Sequence, residues 1–130
     1  MSYDFCCWRQ TSDGCDSQAI YESLCEDGEP DGLTWIPISE IRYRFTDAFQ
    51  SISDEGTELN EEGFQVVWAI GSKPQHTLGV FLHCSWSFPK DPEAIEALLG
   101  AVSALNCMLY DPQQSKLYEA PEMWCDDDDE

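Results

Sequence analysis

Residues Cys107 to Tyr118, CMLYDPQQSKLY, read as a hairpin. Two short strands rich in Leu, Met and Tyr are split by Asp111-Pro112-Gln113-Gln114-Ser115, where proline fixes φ and the aspartate can cap the turn. Leu109 and Tyr110 point to opposite faces of their strand. The segment before the hairpin predicts a helix with an apolar stripe of Ile95, Leu98, Leu99, Val102 and Leu105. Asp91 is its N-cap, Pro92 its first residue, and Asn106, which tolerates the left-handed region, its end. This helix delivers the chain directly into the hairpin, so the two are expected to pack as neighbours.

The rest of the sheet has to come from upstream. Phe64 to Ile70 alternates, with Phe64, Val66, Trp68 and Ile70 on one face. Thr77 to Phe88 does so for longer, with Leu78, Val80, Leu82, Cys84, Trp86 and Phe88 opposing Thr77, Gly79, Phe81, His83, Ser85 and Ser87. Period two held over such a length means a strand with one buried face. Gly71 to His76 then predicts a hairpin loop and antiparallel pairing. Tyr3 to Trp8 is aromatic on both faces, which places it inside the sheet rather than at its edge.

Two further helices are expected. One is capped by Ser17, bears Ile20, Tyr21, Leu24 and Cys25, and stops at Gly28 as a left-handed terminator. The other has Ser39 as N-cap, an Ile38–Tyr43 staple, and a stripe of Ile41, Phe45, Ala48 and Phe49. Between them and the long strands lies SISDEGTELNEEG, residues 51–63, with five acids in the nine positions from Asp54 to Glu62 and no helical or strand period. It reads as an exposed loop. The order strand, helix, helix, strand, strand, helix, strand, strand predicts an α+β fold, a variant of the βαββαβ theme. Its sheet is expected to have four to five mainly antiparallel strands with two to three helices packed on one face. Residues 1–123 form the single domain. Five consecutive acids, Asp126 to Glu130, cannot pack together, and 124–130 is expected to be an acidic, disordered tail.

A chain of 130 residues that is 42% hydrophobic and 12% aromatic can bury a real core. Charge is the outlier: 26 acids against 6 bases, a formal −20. Like-charge repulsion on that scale argues against nucleic acid or an anionic membrane as ligand and points to a basic protein partner. The seven cysteines, Cys6, Cys7, Cys15, Cys25, Cys84, Cys107 and Cys125, are odd in number and follow no apolar leader, so a cytoplasmic location is expected. None has the CxxC spacing of a zinc site, and His76 and His83 have no paired ligand nearby in sequence, so no metal and no cofactor are expected.

The reagents of an enzyme are missing. Cys6-Cys7 offers thiols, but acidic surroundings raise a thiol pKa. Any two of 26 carboxylates could be drawn as acid and base, which discriminates nothing. GxSxG, P-loop, GxGxxG and HExxH patterns are absent, and Asp54 to Glu62 lacks the register of an EF-hand. What remains is a surface of two acidic loops, with Asp54, Glu55, Glu58, Glu61 and Glu62 in one and Glu26, Asp27, Glu29 and Asp31 in the other. Trp35 and Trp124 lie close to acidic segments as candidate anchors.

The opening Met1-Ser2-Tyr3-Asp4 with its aromatic strand, the central Ile36-Pro37-Ile38-Ser39-Glu40-Ile41 and the closing Cys107-Met108-Leu109-Tyr110-Asp111-Pro112-Gln113 carry a resemblance. Together they resemble small bacterial proteins that open with MSYD and close on a YDPQ hairpin. Members of that type are similar to immunity proteins, which neutralise a toxin of contact-dependent or type VI secretion systems. The resemblance implies binding without catalysis and transfers no interface residues, and the acidic tail is not part of the shared pattern. The leading expectation is therefore an immunity or inhibitor protein that engages a cationic toxin domain through its acidic loops. The alternatives are a nucleic-acid mimic that occupies a DNA-binding protein, which would need carboxylates spaced like phosphates, and a small enzyme using Cys6 or Cys7.

Overall fold

The computed structural model describes residues 2–10, 16–26, 28–56, 58–68, 72–85 and 87–118. In chain order the elements are β1 (Ser2–Gln10), α1 (Ser17–Cys25), β2 (Leu33–Thr34), β3 (Ile36–Pro37), α2 (Ile38–Ala48), β4 (Ser53–Asp54) and β5 (Glu58–Glu61). There follow β6 (Phe64–Trp68), β7 (His76–Thr77), β8 (Val80–Ser85), a 3-10 turn (Phe88–Lys90), α3 (Pro92–Ala104), β9 (Met108–Asp111) and β10 (Lys116–Tyr118). The main sheet has eight strands in the order β10-β9-β1-β8-β6-β5-β4, with β2 added at the end of β1, while β3 and β7 form a separate two-stranded ribbon. Every pairing is antiparallel.

The α+β class and the antiparallel sheet are as the sequence predicts, but the sheet has eight strands rather than four to five. The additional members are short. Ser53–Asp54 and Glu58–Glu61, expected to be loop, form a hairpin on the outer edge of β6. Among its described residues the only buried side chain is Leu59, opposite Val66 and with no exposure. A single inward residue makes no visible alternation, yet the free edge of β6 still needs backbone partners.

Strand β1 sits inside the sheet as expected, paired with β8 along Ser2–Cys7 and with β9 along Cys6–Trp8. Phe5 and Cys7 face a core shared with Leu59, Val66, Leu82 and Leu109, which α2 covers with Ile41 and Phe45 and α3 with Leu98, Val102 and Leu105. Cys6 and Trp8 face the other way, with Tyr110, into a second cluster closed by Ile20 and Leu24 of α1. The three helices are therefore split between the faces, two on one and one on the other, rather than gathered on one. Burying a side chain as large as Trp8 is worth about 1.5–3 kcal/mol, and helices on a single face cannot cover both sides of β1.

Details at the element ends differ by a residue or two. The long hairpin forms as predicted, in the register Phe64 opposite Cys84 to Trp68 opposite Val80, but β8 begins only at Val80. Thr77 Oγ1 donates to the Gly79 carbonyl at 2.9 Å and accepts from its N–H at 3.3 Å, breaking the strand. Leu78 consequently joins the second cluster. Gly79 lies so close to α1 that a Cβ would sit 2.6 Å from Leu24 Cδ1. Phe88 has left the strand for the 3-10 turn, where its ring stacks on Phe64 at 4.7 Å. Ile70 and Trp86 lie outside the described residues.

Helix α3 keeps its predicted ends, with Asp91 accepting from the Glu93 and Ala94 N–H groups at 3.0 and 3.4 Å and Asn106 at φ 57°. In α1 the cap is Asp16 instead of Ser17, accepting from Gln18 and Ala19 at 3.1 and 3.3 Å. Gly28 is not left-handed there; a Cβ on it would meet the Ser23 carbonyl oxygen at 2.9 Å. Helix α2 begins at Ile38, with Pro37 rather than Ser39 at the N-cap and the Ile38 N–H donating to the Gln75 carbonyl at 3.0 Å. Tyr43, the expected staple, is 60% exposed and lies against Arg44.

The closing hairpin is tied to the start of the chain by Asp111, which is 1% exposed. One carboxylate oxygen takes the Tyr3 hydroxyl. The other takes the Gln113 and Gln114 N–H groups at 3.0 and 3.3 Å and the Gln113 side-chain amide at 2.6 Å. The Gln113 side-chain amide also bonds to the backbone of β1, accepting from the Asp4 N–H at 2.8 Å and donating to its carbonyl at 2.7 Å.

Tyr3→Phe removes one donor from this buried carboxylate and is expected to cost about 1–3 kcal/mol, read as a lower urea midpoint. An unchanged midpoint would show that the hydroxyl contributes nothing. Leu59→Ala is expected to cost about 2–5 kcal/mol, whereas a dispensable loop residue would leave stability within about 0.5 kcal/mol.

Candidate functional site

The expected site residues fall into two groups that the fold keeps distinct. Asp54, Glu55, Glu58, Glu61 and Glu62 all lie on the β4–β5 hairpin or its turn into β6. Asp54 accepts from the Gly56 N–H at 2.9 Å, and its second oxygen lies 3.4 Å from Arg42 Nε. Glu55 accepts from the Ser53 hydroxyl at 2.6 Å. Glu58 takes two amide donors, from Asn60 at 2.7 Å and Gln65 at 3.0 Å. Glu61 and Glu62 border a shallow cleft shared with Lys90 and Ser87.

In the other group Glu26 caps the C-terminus of α1 and Asp31 occupies a turn, both exposed, while Asp27 lies outside the described residues. Glu29 is a strap, because its carboxylate takes the Ser72 N–H at 2.8 Å and the Ser72 hydroxyl at 3.1 Å. A cleft of about 430 Å³, lined by Arg42 and Trp68, has Gly56 of the hairpin and the Gln75–His76 turn among its walls. Trp35 packs against the second core cluster, the ordinary role of an aromatic, and Trp124 lies outside the described residues.

The cross-strand register defines a surface that sequence spacing does not. Helix α1 covers the β1–β9 part of the second sheet face and reaches the edge of β8, where Leu24 lies on Gly79 and Phe81 packs against its cluster, while the rest over β8, β6 and β5 is only partly covered among the described residues. One row across it runs Asp4, His83, Gln65, Asn60, Ser53, and the next Cys6, Phe81, Val67, Glu58. Asp4 and His83, with no ligand apparent in sequence, meet at 3.0 Å, carboxylate oxygen to Nδ1. Phe81 and Val67 are half-buried. The signal in the chain is the opposing face of the long strand, where Phe81 and His83 alternate with the core residues.

The thiols of Cys6, Cys7 and Cys84 are shielded from solvent. Cys6 and Cys7 are both buried, on opposite faces. Burial, then the neighbouring Cys25 and Cys107, pushes the Cys6 pKa well above that of an ordinary thiol. For Cys7 the leading cause is a hydrogen bond with Cys107, followed by burial. Burial and the nearby Asp4 push Cys84 up to about 12. Such thiols stay protonated at neutral pH and are poor nucleophiles. Among the described residues no three His, Cys, Asp or Glu side chains converge as a metal site requires. No protein-family model, curated protein or solved structure matches the chain.

The raised thiols carry a pH dependence of definite sign. In the folded state they hold their protons, so stability is intact below the unfolded thiol value of about 8.5 and declines as pH rises from there toward about 12 for Cys84. Each thiol adds up to about 1.4 kcal/mol per pH unit. Urea midpoints measured at pH 7.5 and pH 10 check this: a marked fall is expected, shallower in Cys84→Ala, and a flat profile contradicts it.

Proposed function

We propose that the protein is an immunity-type inhibitor that binds a cationic toxin domain of bacterial competition systems and neutralises it by covering it, without chemistry of its own. The observation that carries this is the excess of acid over base, 26 against 6, with Arg9 and Arg42 already engaged within the fold. Arg9 is engaged by Glu40 at 2.9 Å and the Leu105 carbonyl at 2.8 Å. Arg42 is engaged by Asp54 and the Gly56 carbonyl and stacks over Trp68 at 5.2 Å. The hairpin meanwhile presents five carboxylates on a sheet edge, with Asp54, Glu55 and Glu62 exposed. A net negative field attracts a basic partner and raises its association rate, to about 10⁸ M⁻¹s⁻¹ at low salt against about 10⁵–10⁶ for neutral surfaces. The resemblance of the chain ends to immunity proteins supports the same reading, and the cytoplasm, where such an inhibitor meets its toxin, is the proposed location. Among the described residues no helix is long and apolar enough to cross a membrane.

The direct test searches the adjoining genes for a secreted toxin domain and mixes it with the purified protein. A complex and loss of toxin activity are expected, and full activity with no binding at low salt overturns the proposal. The contribution of the hairpin is separable. Replacing Asp54, Glu55, Glu58, Glu61 and Glu62 by their amides should slow association about tenfold or more and flatten its dependence on salt, because exposed charges act mainly on the on-rate. Thermal stability should hold, since Glu58→Gln retains an acceptor for Asn60 and Gln65, and an exposed pair such as Asp54–Arg42 is worth about 0–1 kcal/mol. An unchanged rate and salt slope would remove the hairpin from the contact.

A further inference from the structure

We infer that the less covered half of the second sheet face, over β8, β6 and β5, is the docking surface for a folded basic protein that brings Lys and Arg side chains around a small apolar contact. This rests on the function proposed above. The face carries Asp4, His83, Gln65, Asn60, Phe81, Val67 and Glu58 side by side. Among the described residues it holds no lysine or arginine: Arg9 and Arg42 belong to the opposite, helix-covered side with Glu40 and Trp68. The complementarity is thus one-signed, carboxylate against cation.

Two properties, taken together, distinguish this face from the other acidic segments. Its carboxylates are held before a partner arrives, Glu58 by the Asn60 and Gln65 amides and Asp4 by His83. Binding therefore immobilises fewer free rotamers. Its centre is apolar, Phe81 beside Val67 in one row, so a partner can exclude water there while its cations meet the acids around it. Neither the hairpin turn at 54–56 nor the 28–31 segment pairs an apolar centre with a carboxylate held in this way.

Size decides how the partner must lie. Three strands spaced about 4.8 Å apart and about five residues long, at about 3.3 Å per residue, make a patch of roughly 240 Å². A stable interface needs about 800 Å² per partner. The partner must therefore also reach the exposed acids Glu22 and Glu26 of α1 on one side or the β4–β5 hairpin on the other. Glu58 belongs to both the face and the hairpin, so the electrostatic contact proposed for the hairpin and this surface are continuous.

The test uses cytochrome c, a folded cationic protein, as probe at low salt, together with the toxin domain found by searching the adjoining genes. In the unaltered protein, cytochrome c is expected to shift the backbone amides of 58–60, 65–67 and 81–83 most, a map that requires no variant. Gln65→Lys with Val67→Lys should weaken binding of either partner about tenfold or more. Gly100→Lys with Ala104→Lys is the control, with the same change in charge on the outer side of α3, where a Cβ at Gly100 meets nothing within 4 Å. It should weaken binding no more than about twofold, because screening confines exposed charges to about 10 Å. Equal weakening by the two pairs, or the largest shifts at 92–104 or 26–31, overturns the inference. If the face variant binds the toxin as tightly as the control does, the surface is wrong and the proposed function stands. If cytochrome c docks on this face but the toxin is neither bound nor inhibited, the function is wrong and the surface stands.

Discussion

Strand β1 is apolar on both sides, and that constraint organises the molecule. Phe5 and Cys7 on one face and Cys6 and Trp8 on the other are all at most 5% exposed. A sheet with helices on one side only would leave Trp8 in water, so α1 crosses to the second face while α2 and α3 build the larger core. The crossing sets further local requirements. Gly79 must lack a side chain because Leu24 of α1 rests on it, and the strand breaks there because the Thr77 hydroxyl bonds to the Gly79 backbone while Thr77 itself pairs with Ile36 of β3. One strand's composition thus propagates into a helix position, a glycine and the end of a hairpin.

Asp111 is the second fixed point. Its carboxylate joins Tyr3, Gln113 and Gln114, and the Gln113 side-chain amide bonds to the Asp4 backbone of β1 past the end of β9. The opening MSYD and the closing YDPQ are therefore two halves of one hydrogen-bond network, although more than a hundred residues separate Tyr3 from Asp111. The residues of these two motifs close the sheet, so they bear on how the sheet is closed rather than on a binding surface.

Charge and fold are arranged so that repulsion falls where the backbone tolerates it. The hairpin carries five carboxylates on the sheet edge, and two of them are already held by Arg42 or by amides. An edge strand bristling with acids also resists pairing with another chain. The less covered half of the second face differs, with its apolar centre and its acids held by neighbours. Half-covered sheets usually show water a polar face; Phe81 and Val67 are the departures from that pattern, and the proposed docking surface is built around them.

The chain by itself determined whatever depends on neighbours along it. The capped helix from Pro92, the hairpin around Asp111-Pro112, the antiparallel pair of β6 and β8 and the interior position of β1 follow from period, caps and turn residues within short windows. Both acidic segments were visible as composition, which cannot distinguish a loop from an edge hairpin when Leu59 is the one inward side chain. Only the tertiary structure decided which face each helix covers, because Cys6 and Trp8 are apolar whichever element comes to rest on them. Only register decided that Asp4 meets His83, that Glu58 lies between Asn60 and Gln65, and that Phe81 and Val67 stand side by side, both half-buried. Cross-strand neighbours are set by how strands from distant parts of the chain align, and local spacing holds no record of that alignment.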